Sequence, residues 1–292
     1  MKLENSSIQA LVKLIDDPDD SVFEHVREKI IEFGPEAIPY LEQSWENDYY
    51  GLIFQTRIEE IIQDIQFEGI KNELTAWKNS SDKDLLKGAI LIARFQYPDI
   101  DEDKIYSAIQ TIRRDIWLEL NDNQTAFEQV KIFNRIFFGV HHFKGDTKNY
   151  YSPVNSCINV VMESKKGNPL VISLIYSIVA QTLDLPIYGV NLPNHFVLAY
   201  MDEKGTGLLS NTQNEYGVLF YINAFSKGSV FDTSAIKLFL DELKLDYERE
   251  FFEPCSNTSI LIRMINNLIA SFQQIGNAEK VENLILLKAI LD

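Results

Sequence analysis

The sequence predicts an α+β fold that is predominantly helical, in which one buried helix lies on a small antiparallel sheet and helical repeats flank this core. Residues 170–183 are almost wholly apolar, which is typical of a helix that is buried on most sides. Apolar runs at 187–190, 196–200 and 217–222 are short and lie between turn or loop segments, as strands do. Amphipathic stripes with helical spacing fill most of the remaining chain, which makes helix the dominant structure.

The composition limits the classes of protein that need to be considered. The 292 residues are 46% hydrophobic and 24% charged, as in an ordinary soluble globular protein. The net charge of −16, from 43 acidic and 27 basic residues, repels phosphate backbones and anionic membrane surfaces. We therefore expect neither a nucleic acid nor a membrane as partner. No stretch approaches the roughly 18 apolar residues of a membrane span, and the N-terminal residues lack a signal-peptide pattern.

The cysteines and histidines are few. Cys157 and Cys255 form no CxxC pair, which favours a reducing compartment and predicts a cytoplasmic protein. The four histidines form neither an HExxH nor an HxH motif, so we expect no metal site. Nothing in the sequence indicates an organic cofactor, and it does not predict an oligomeric state.

Residues 1–80 predict paired helices. The apolar stripe of the second helix ends at Gly34-Pro35, and a further helix carries Leu41 and Trp45. A similar pair follows at an offset of about 30–32 residues, near the period of helical solenoids. The segment DDPDDSVFEHVREKIIEFGPEAIPYL resembles a HEAT repeat. This region is either an N-terminal helical cap on the next domain or a dedicated peptide-binding solenoid.

The remaining chain predicts a core with leading helices over residues 81–250 and a helical hairpin over 251–292. Asn168 suits the N-cap of the apolar helix, and Pro169 suits its first position. Near the C-terminus, two amphipathic helices are separated by Gly276-Asn277, which predicts that they pack against each other.

Several phrases resemble a known family in their order and spacing. They are GAILIARFQYPDID, FNRIFF, YYSPVNSCINVVMESKKGNPLVISLIY, LDLPIYGVNLPNHFVLAY and FYINAFSKG. This region is similar to the SirB-type branch of the transglutaminase-like superfamily, whose core is papain-like. The last helices, LIRMINNLIASFQQIGNAEKVENLILL, resemble the tetratricopeptide-like hairpin that often follows this core. The resemblance covers about two thirds of the chain.

The resemblance implies where a catalytic triad would lie. Active members hold a cysteine at the start of the buried helix, and a histidine and an aspartate on neighbouring strands. These positions correspond to Pro169, His195 and Asn223. A helix N-terminus and an imidazole activate a thiol, but proline offers no nucleophile. Asparagine can hold an imidazole tautomer without supplying a charge. The sequence therefore does not predict a working Cys–His–Asp triad.

Other residues have both a structural and a functional interpretation. His195 is either a polar anchor at a strand edge or a ligand-binding group. Ser173 lies one helical turn beyond Pro169, but its place inside a helix argues against a nucleophile. Cys157 is either an inert buried thiol or a relocated nucleophile. Three further residues either line the cleft or pack: Tyr151, Asn155 and Asn194.

Three hypotheses about function follow. The first is a non-catalytic transglutaminase-like protein that binds a protein or peptide in the cleft or on its helical faces. The second is a hydrolase or transamidase in which His195 acts as general base with Ser173, Cys157 or a water. It requires such a nucleophilic atom within about 4 Å of the His195 ring. The third is a helical scaffold whose flanking helices bind a partner.

Overall fold

The computed structural model describes residues 2–46, 51–149, 152–202 and 216–292. These residues form two compact units, Met1–Ala76 and Trp77–Asp292. Helix predominates and the principal sheet is small and antiparallel, which confirms the predicted α+β fold class. None of the described helices combines the length and the apolar content needed to cross a membrane.

The elements are numbered in chain order. The helices are α1 (Lys2–Val12), α2 (Asp20–Phe33), α3 (Ile38–Trp45), α4 (Leu52–Asn79), α5 (Leu85–Arg94), α6 (Glu102–Trp117), α7 (Ala126–Asn134), α8 (Ile158–Ser164), α9 (Pro169–Gln181), α10 (Thr233–Leu243), α11 (Asn257–Gln274) and α12 (Ala278–Leu291). The strands are β1 (Lys144–Gly145), β2 (Lys166–Gly167), β3 (Ile187–Leu192), β4 (His195–Met201), β5 (Val218–Asn223) and β6 (Ser229–Phe231).

The first unit packs α1, α2, α3 and the first part of α4 around a core that includes Ile30, Leu41 and Ile61. The expectation of a second helical pair here is wrong, because residues 52–79 form one continuous helix. Gly34, at φ +62°, ends α2 just before Pro35. Helix α4 contains no proline, and its glycine, Gly69, costs only about 1 kcal/mol in a helix interior.

The second unit contains the sheet, whose strand order is β3-β4-β5-β6 with every pair antiparallel. Helix α9 packs on β3 and β4, and its residues from Pro169 to Ala180 are all buried. The predicted buried helix on a small sheet is therefore present. Strand β6 and the parallel β1–β2 pair were not predicted, because runs of two or three residues carry no periodic signal.

The hairpin of α11 and α12 belongs to this same unit. Helix α11 packs against α12, α5 and β3. A Cβ atom at Gly88 of α5 would lie only 2.5 Å from Leu261 Cδ1, so glycine allows the two helices to approach closely. The residues predicted as a separate hairpin, 251–292, thus lie directly against the core.

Candidate functional site

The start of α9 is fixed by a buried asparagine. Asn168 Oδ1 accepts a hydrogen bond from the Val171 N–H at 2.9 Å. Its Nδ2 donates to Ser156 Oγ, also at 2.9 Å. Pro169 occupies the first helical position. The N–H of this position has no acceptor within the helix, so a proline there costs no hydrogen bond. The residue at the expected nucleophile position is therefore an ordinary helix-starting proline.

His195 and Asn223 meet at one end of the two central strands of the sheet. His195 begins β4 after a tight turn, in which Asn194 adopts φ +55°, a conformation that asparagine tolerates. Asn223 ends β5, which runs antiparallel to β4, so the two residues lie at the same end of these strands. Asn223 Nδ2 lies 3.2 Å from His195 Nε2. The contact of the ring is therefore with a side chain rather than with a backbone carbonyl.

The hydrogen bonds of Asn223 determine the tautomer of His195. Asn223 Oδ1 accepts from the Ser226 N–H at 3.1 Å, which leaves Nδ2 to face the ring. An amide nitrogen can only donate, so His195 Nε2 accepts and the proton of the neutral ring lies on Nδ1. Burial lowers the pKa of His195, and the positive charge of Arg263 lowers this pKa further. Both effects favour the neutral ring.

A cavity of about 290 Å³ lies beside this ring. Its wall is formed by the start of α9, the turn into β4, α11, and Ser156 from the turn that precedes α8. The lining residues are Ser156, Asn168, Pro169, Leu170, Asn194, His195, Phe196, Arg263, Asn267, Ala270 and Ser271. Three predicted site residues, Pro169, Asn194 and His195, therefore share one cavity, with Asn223 hydrogen-bonded to the ring.

The sequence did not predict that α11 forms part of the cavity wall. Arg263, Asn267 and Ser271 follow one another at intervals of four residues, which places them on one face of the helix. This i, i+4, i+8 spacing of polar residues was a signal that the sequence did contain. Arg263 Nη1 donates to the Leu192 carbonyl at 2.6 Å and also to Asn191 Oδ1, which attaches α11 to the end of β3.

Ser173, Cys157 and Asn155 do not line this cavity. Ser173 is fully buried inside α9, and its Oγ has no hydrogen-bond partner in the described part of the chain. Cys157 is fully buried, with Sγ 3.5 Å from the Pro153 carbonyl oxygen, and burial raises its pKa to about 12. Asn155 Nδ2 donates to the Asn149 carbonyl at 2.6 Å. These three side chains are thus engaged in packing.

Cys255 and Tyr151 are the remaining candidates. Burial raises the pKa of Cys255 to about 11. Tyr151 lies outside the described residues. Within the described ranges, no group of three or more histidine, cysteine or acidic side chains could hold a metal ion.

The hydroxyl groups that line the cavity are already hydrogen-bonded. Ser271 Oγ donates to the Asn267 carbonyl at 2.8 Å, and Ser156 Oγ accepts from Asn168. His195 Nε2 is directed at Asn223. The described residues of this cavity thus combine hydrogen-bond donors and one guanidinium, an arrangement suited to binding a polar group.

Comparisons with known proteins find relatives that match this chain over part of its length. A UPF0162 protein of Xylella fastidiosa is 32% identical over 137 residues, which are 45% of this chain and 49% of the relative. F-box only protein 21 of Mus musculus is 26% identical over 137 residues, which are 47% of this chain and 21% of the relative. The chain spans about half the length of the first UPF0162 relatives it matches. No solved structure matches.

The family comparison covers most of the residues that line the cavity. Residues 103–266, more than half of the chain, match the model of the Transglutaminase-like superfamily. The matched segment includes the start of α9, the His195–Asn223 pair and Arg263. This chain therefore belongs to the transglutaminase-like superfamily.

Proposed function

We propose that this chain is a non-catalytic member of the superfamily that binds a protein or peptide segment in the cavity beside His195. The observation that carries the proposal is the hydrogen bond from Asn223 Nδ2 to His195 Nε2 at 3.2 Å. A general base needs an available lone pair, and the lone pair of the neutral ring is directed at Asn223. The remaining ring nitrogen carries a proton, so it can donate a hydrogen bond but cannot take a proton.

The proposed lack of catalysis also draws on the candidate nucleophiles. Pro169 has no nucleophilic side-chain atom. Burial keeps the thiol of Cys157 protonated by raising its pKa to about 12. Ser173 is fully buried, and within the described residues no hydrogen bond joins its hydroxyl to His195. A hydrolase or transamidase that activates water would use the same lone pair of His195. The altered-nucleophile hypothesis therefore finds no support in these residues.

The size and lining of the cavity favour a short peptide segment. A volume of about 290 Å³ is at the lower limit of drug-sized sites, which suits one or two side chains rather than a large cofactor. Asn194 is exposed and Asn267 is half-buried on the cavity wall. Their amides offer the donors and acceptors that a peptide backbone uses.

A displayed library of random peptides tests this proposal. Peptides selected on the wild-type chain should bind at least about tenfold more weakly to Ala270→Trp, because the indole would fill the cavity at its exposed wall. Ala289→Trp is the matched control, since Ala289 is exposed on α12 and does not line the cavity. Equal binding to both variants would contradict the proposed site. Cleavage or transamidation of a selected peptide by the wild type, lost in His195→Gln, would contradict a non-catalytic role.

We also propose the finer assignments that the sequence suggested. The order of the quoted phrases supports the SirB-type branch. The α2–α3 pair supports a HEAT-like first region, and the α11–α12 hairpin supports a tetratricopeptide-like end. The division into residues 1–80, 81–250 and 251–292 remains our proposal for the successive regions of the chain, of which the last packs against the core. The two free cysteines support a cytoplasmic location.

The scaffold alternative has one observation in its favour. Leu52 and Ile53, at the start of α4, are 83% and 71% exposed. Adjacent exposed apolar side chains of this kind are typical of an interaction surface. Replacing both with serine should abolish complex formation by a scaffold and leave peptide binding beside His195 intact.

A further inference from the structure

The charge of the cavity wall distinguishes this cavity from the rest of the protein surface. The chain as a whole carries −16. Among the described lining residues there is no aspartate or glutamate, and Arg263 is the one that carries a full charge when His195 is neutral. A cationic side chain on a cavity wall attracts anionic groups to that place.

The guanidinium of Arg263 is held in a defined position. Its Nη1 donates to the Leu192 carbonyl at 2.6 Å and to Asn191 Oδ1, both on β3. A planar guanidinium fixed in this way loses little further freedom when it meets a carboxylate. The site is therefore organised before any ligand arrives.

Neutral donors lie on the same wall. His195 carries its proton on Nδ1, because Asn223 donates to Nε2. Asn267 stands one helical turn beyond Arg263, on the same face of α11. The positive end of the α9 dipole also lies here, since Pro169 and Leu170 form part of the lining. Each of these features stabilises negative charge.

We infer that this cavity binds a carboxylate group, between Arg263 and the Nδ1–H of His195. The inference rests on the proposed function, since it names the group of the peptide that enters the cavity. A single carboxylate carries one charge, as does Arg263, the one cation among the described lining residues. A phosphate carries about two negative charges near pH 7. Arg263 balances one of these charges, and the second would be repelled by a chain whose net charge is −16.

A titration with sodium propionate tests the inference on the full chain. Propionate should cause saturable changes in the ¹⁵N resonances of the His195 ring and should raise the pKa of His195. Propionamide, which has the same shape without the charge, should cause neither change. Equal effects of the two compounds would overturn the inference.

Variants on α11 provide the matched comparison. Asn267→Asp places a negative charge on the cavity wall without removing the hydrogen bonds of Arg263, and should weaken propionate binding about tenfold or more. Asn266→Asp adds the same charge on the adjacent residue, which is exposed and does not line the cavity, and should change binding by less than about twofold. Equal affinities of the two variants would overturn the inference.

Three peptide forms identify the source of the carboxylate. One has a free C-terminus and neutral side chains, one is amidated with a single glutamate, and one has every carboxylate blocked. Tighter binding of either of the first two forms supports the inference and identifies the source. If library-selected peptides bind the cavity as tightly when blocked, the proposed function stands and the carboxylate inference fails. If propionate binds and no peptide does, the inference about the ligand group stands and the proposed function fails.

Discussion

A single amide, that of Asn223, sets the chemical character of His195. Its oxygen is occupied by the Ser226 N–H, so its nitrogen must face the ring. A carboxylate in the same place would accept from Nε2 and leave Nδ1 without a proton. The difference between asparagine and aspartate at this position is therefore a difference between a hydrogen-bond donor and a base in the cavity.

Asn223→Asp should reverse the tautomer of His195. The new carboxylate stabilises the protonated ring, so the pKa of His195 should rise. In the neutral ring the proton should move from Nδ1 to Nε2. Ring ¹⁵N chemical shifts recorded across pH 4–9 would report both changes.

Asn194→Asp serves as the control for added charge. Asn194 lies in the same cavity, but no hydrogen bond joins it to His195 in the described residues. This variant should raise the pKa of His195 and leave the proton on Nδ1. An unchanged tautomer in Asn223→Asp would refute the hydrogen-bond assignment on which the proposed function depends.

At the scale of elements, two glycines show that the effect of adding a side chain depends on its position in the fold. Gly69 lies inside α4, where an added Cβ atom would have no neighbouring atom within 4 Å. Gly228 has φ +72°, and a Cβ there would overlap the Asn134 amide. That amide donates to the Gly228 carbonyl at 2.8 Å and accepts from the buried Tyr176 hydroxyl at 3.0 Å.

Alanine at these two positions should therefore have opposite effects. Gly69→Ala should raise the free energy of unfolding by about 0.5–1 kcal/mol, because alanine favours helix. Gly228→Ala should lower it by at least about 1–2 kcal/mol, since a left-handed backbone is strained for alanine. Urea unfolding followed by circular dichroism would measure both values. Changes of the same sign would contradict this account.

The sequence predicted elements well where local pattern decides and less well where packing decides. The apolar run of 170–183 and its Asn168-Pro169 start identified α9, because capping and burial are local properties. The continuous helix α4 was not predicted, because the similarity between two segments suggested a break between two helices. No proline lies in α4 to cause such a break. The donation from Asn223 to His195 depends on the Ser226 backbone, and local pattern does not show which amide atom is occupied.

At the scale of the whole molecule, the cavity depends on residues distant in sequence. Arg263 on α11 bonds to Leu192 and Asn191 on β3, about 70 residues earlier. Sequence pattern identified the hairpin but not the surface it covers, because a helical stripe shows which face is apolar and not what that face meets. The polar face of α11 could be assigned to the cavity only from the packed structure.

Removing residues 251–292 should therefore disrupt the core as well as shorten the chain. Leu261, Met264 and Leu268 are each fully buried, so their loss would expose the apolar surfaces they cover. A chain of residues 1–250 should lose the cooperative thermal transition of the second unit and bind an apolar fluorescent dye. A cooperative transition that persists in this shortened chain would show that residues 251–292 form an independent domain.

The place of α11 in the wall also affects how fragments of this chain are designed. The family match ends at residue 266, whereas α11 continues to Gln274. An expression boundary drawn at that match would cut the helix in its middle and omit Asn267 and Ser271. A chimera that exchanges only the matched segment would take Arg263 from one parent and Asn267, Ala270 and Ser271 from the other. Any fragment screen or domain swap on this protein should therefore place its boundary after α12.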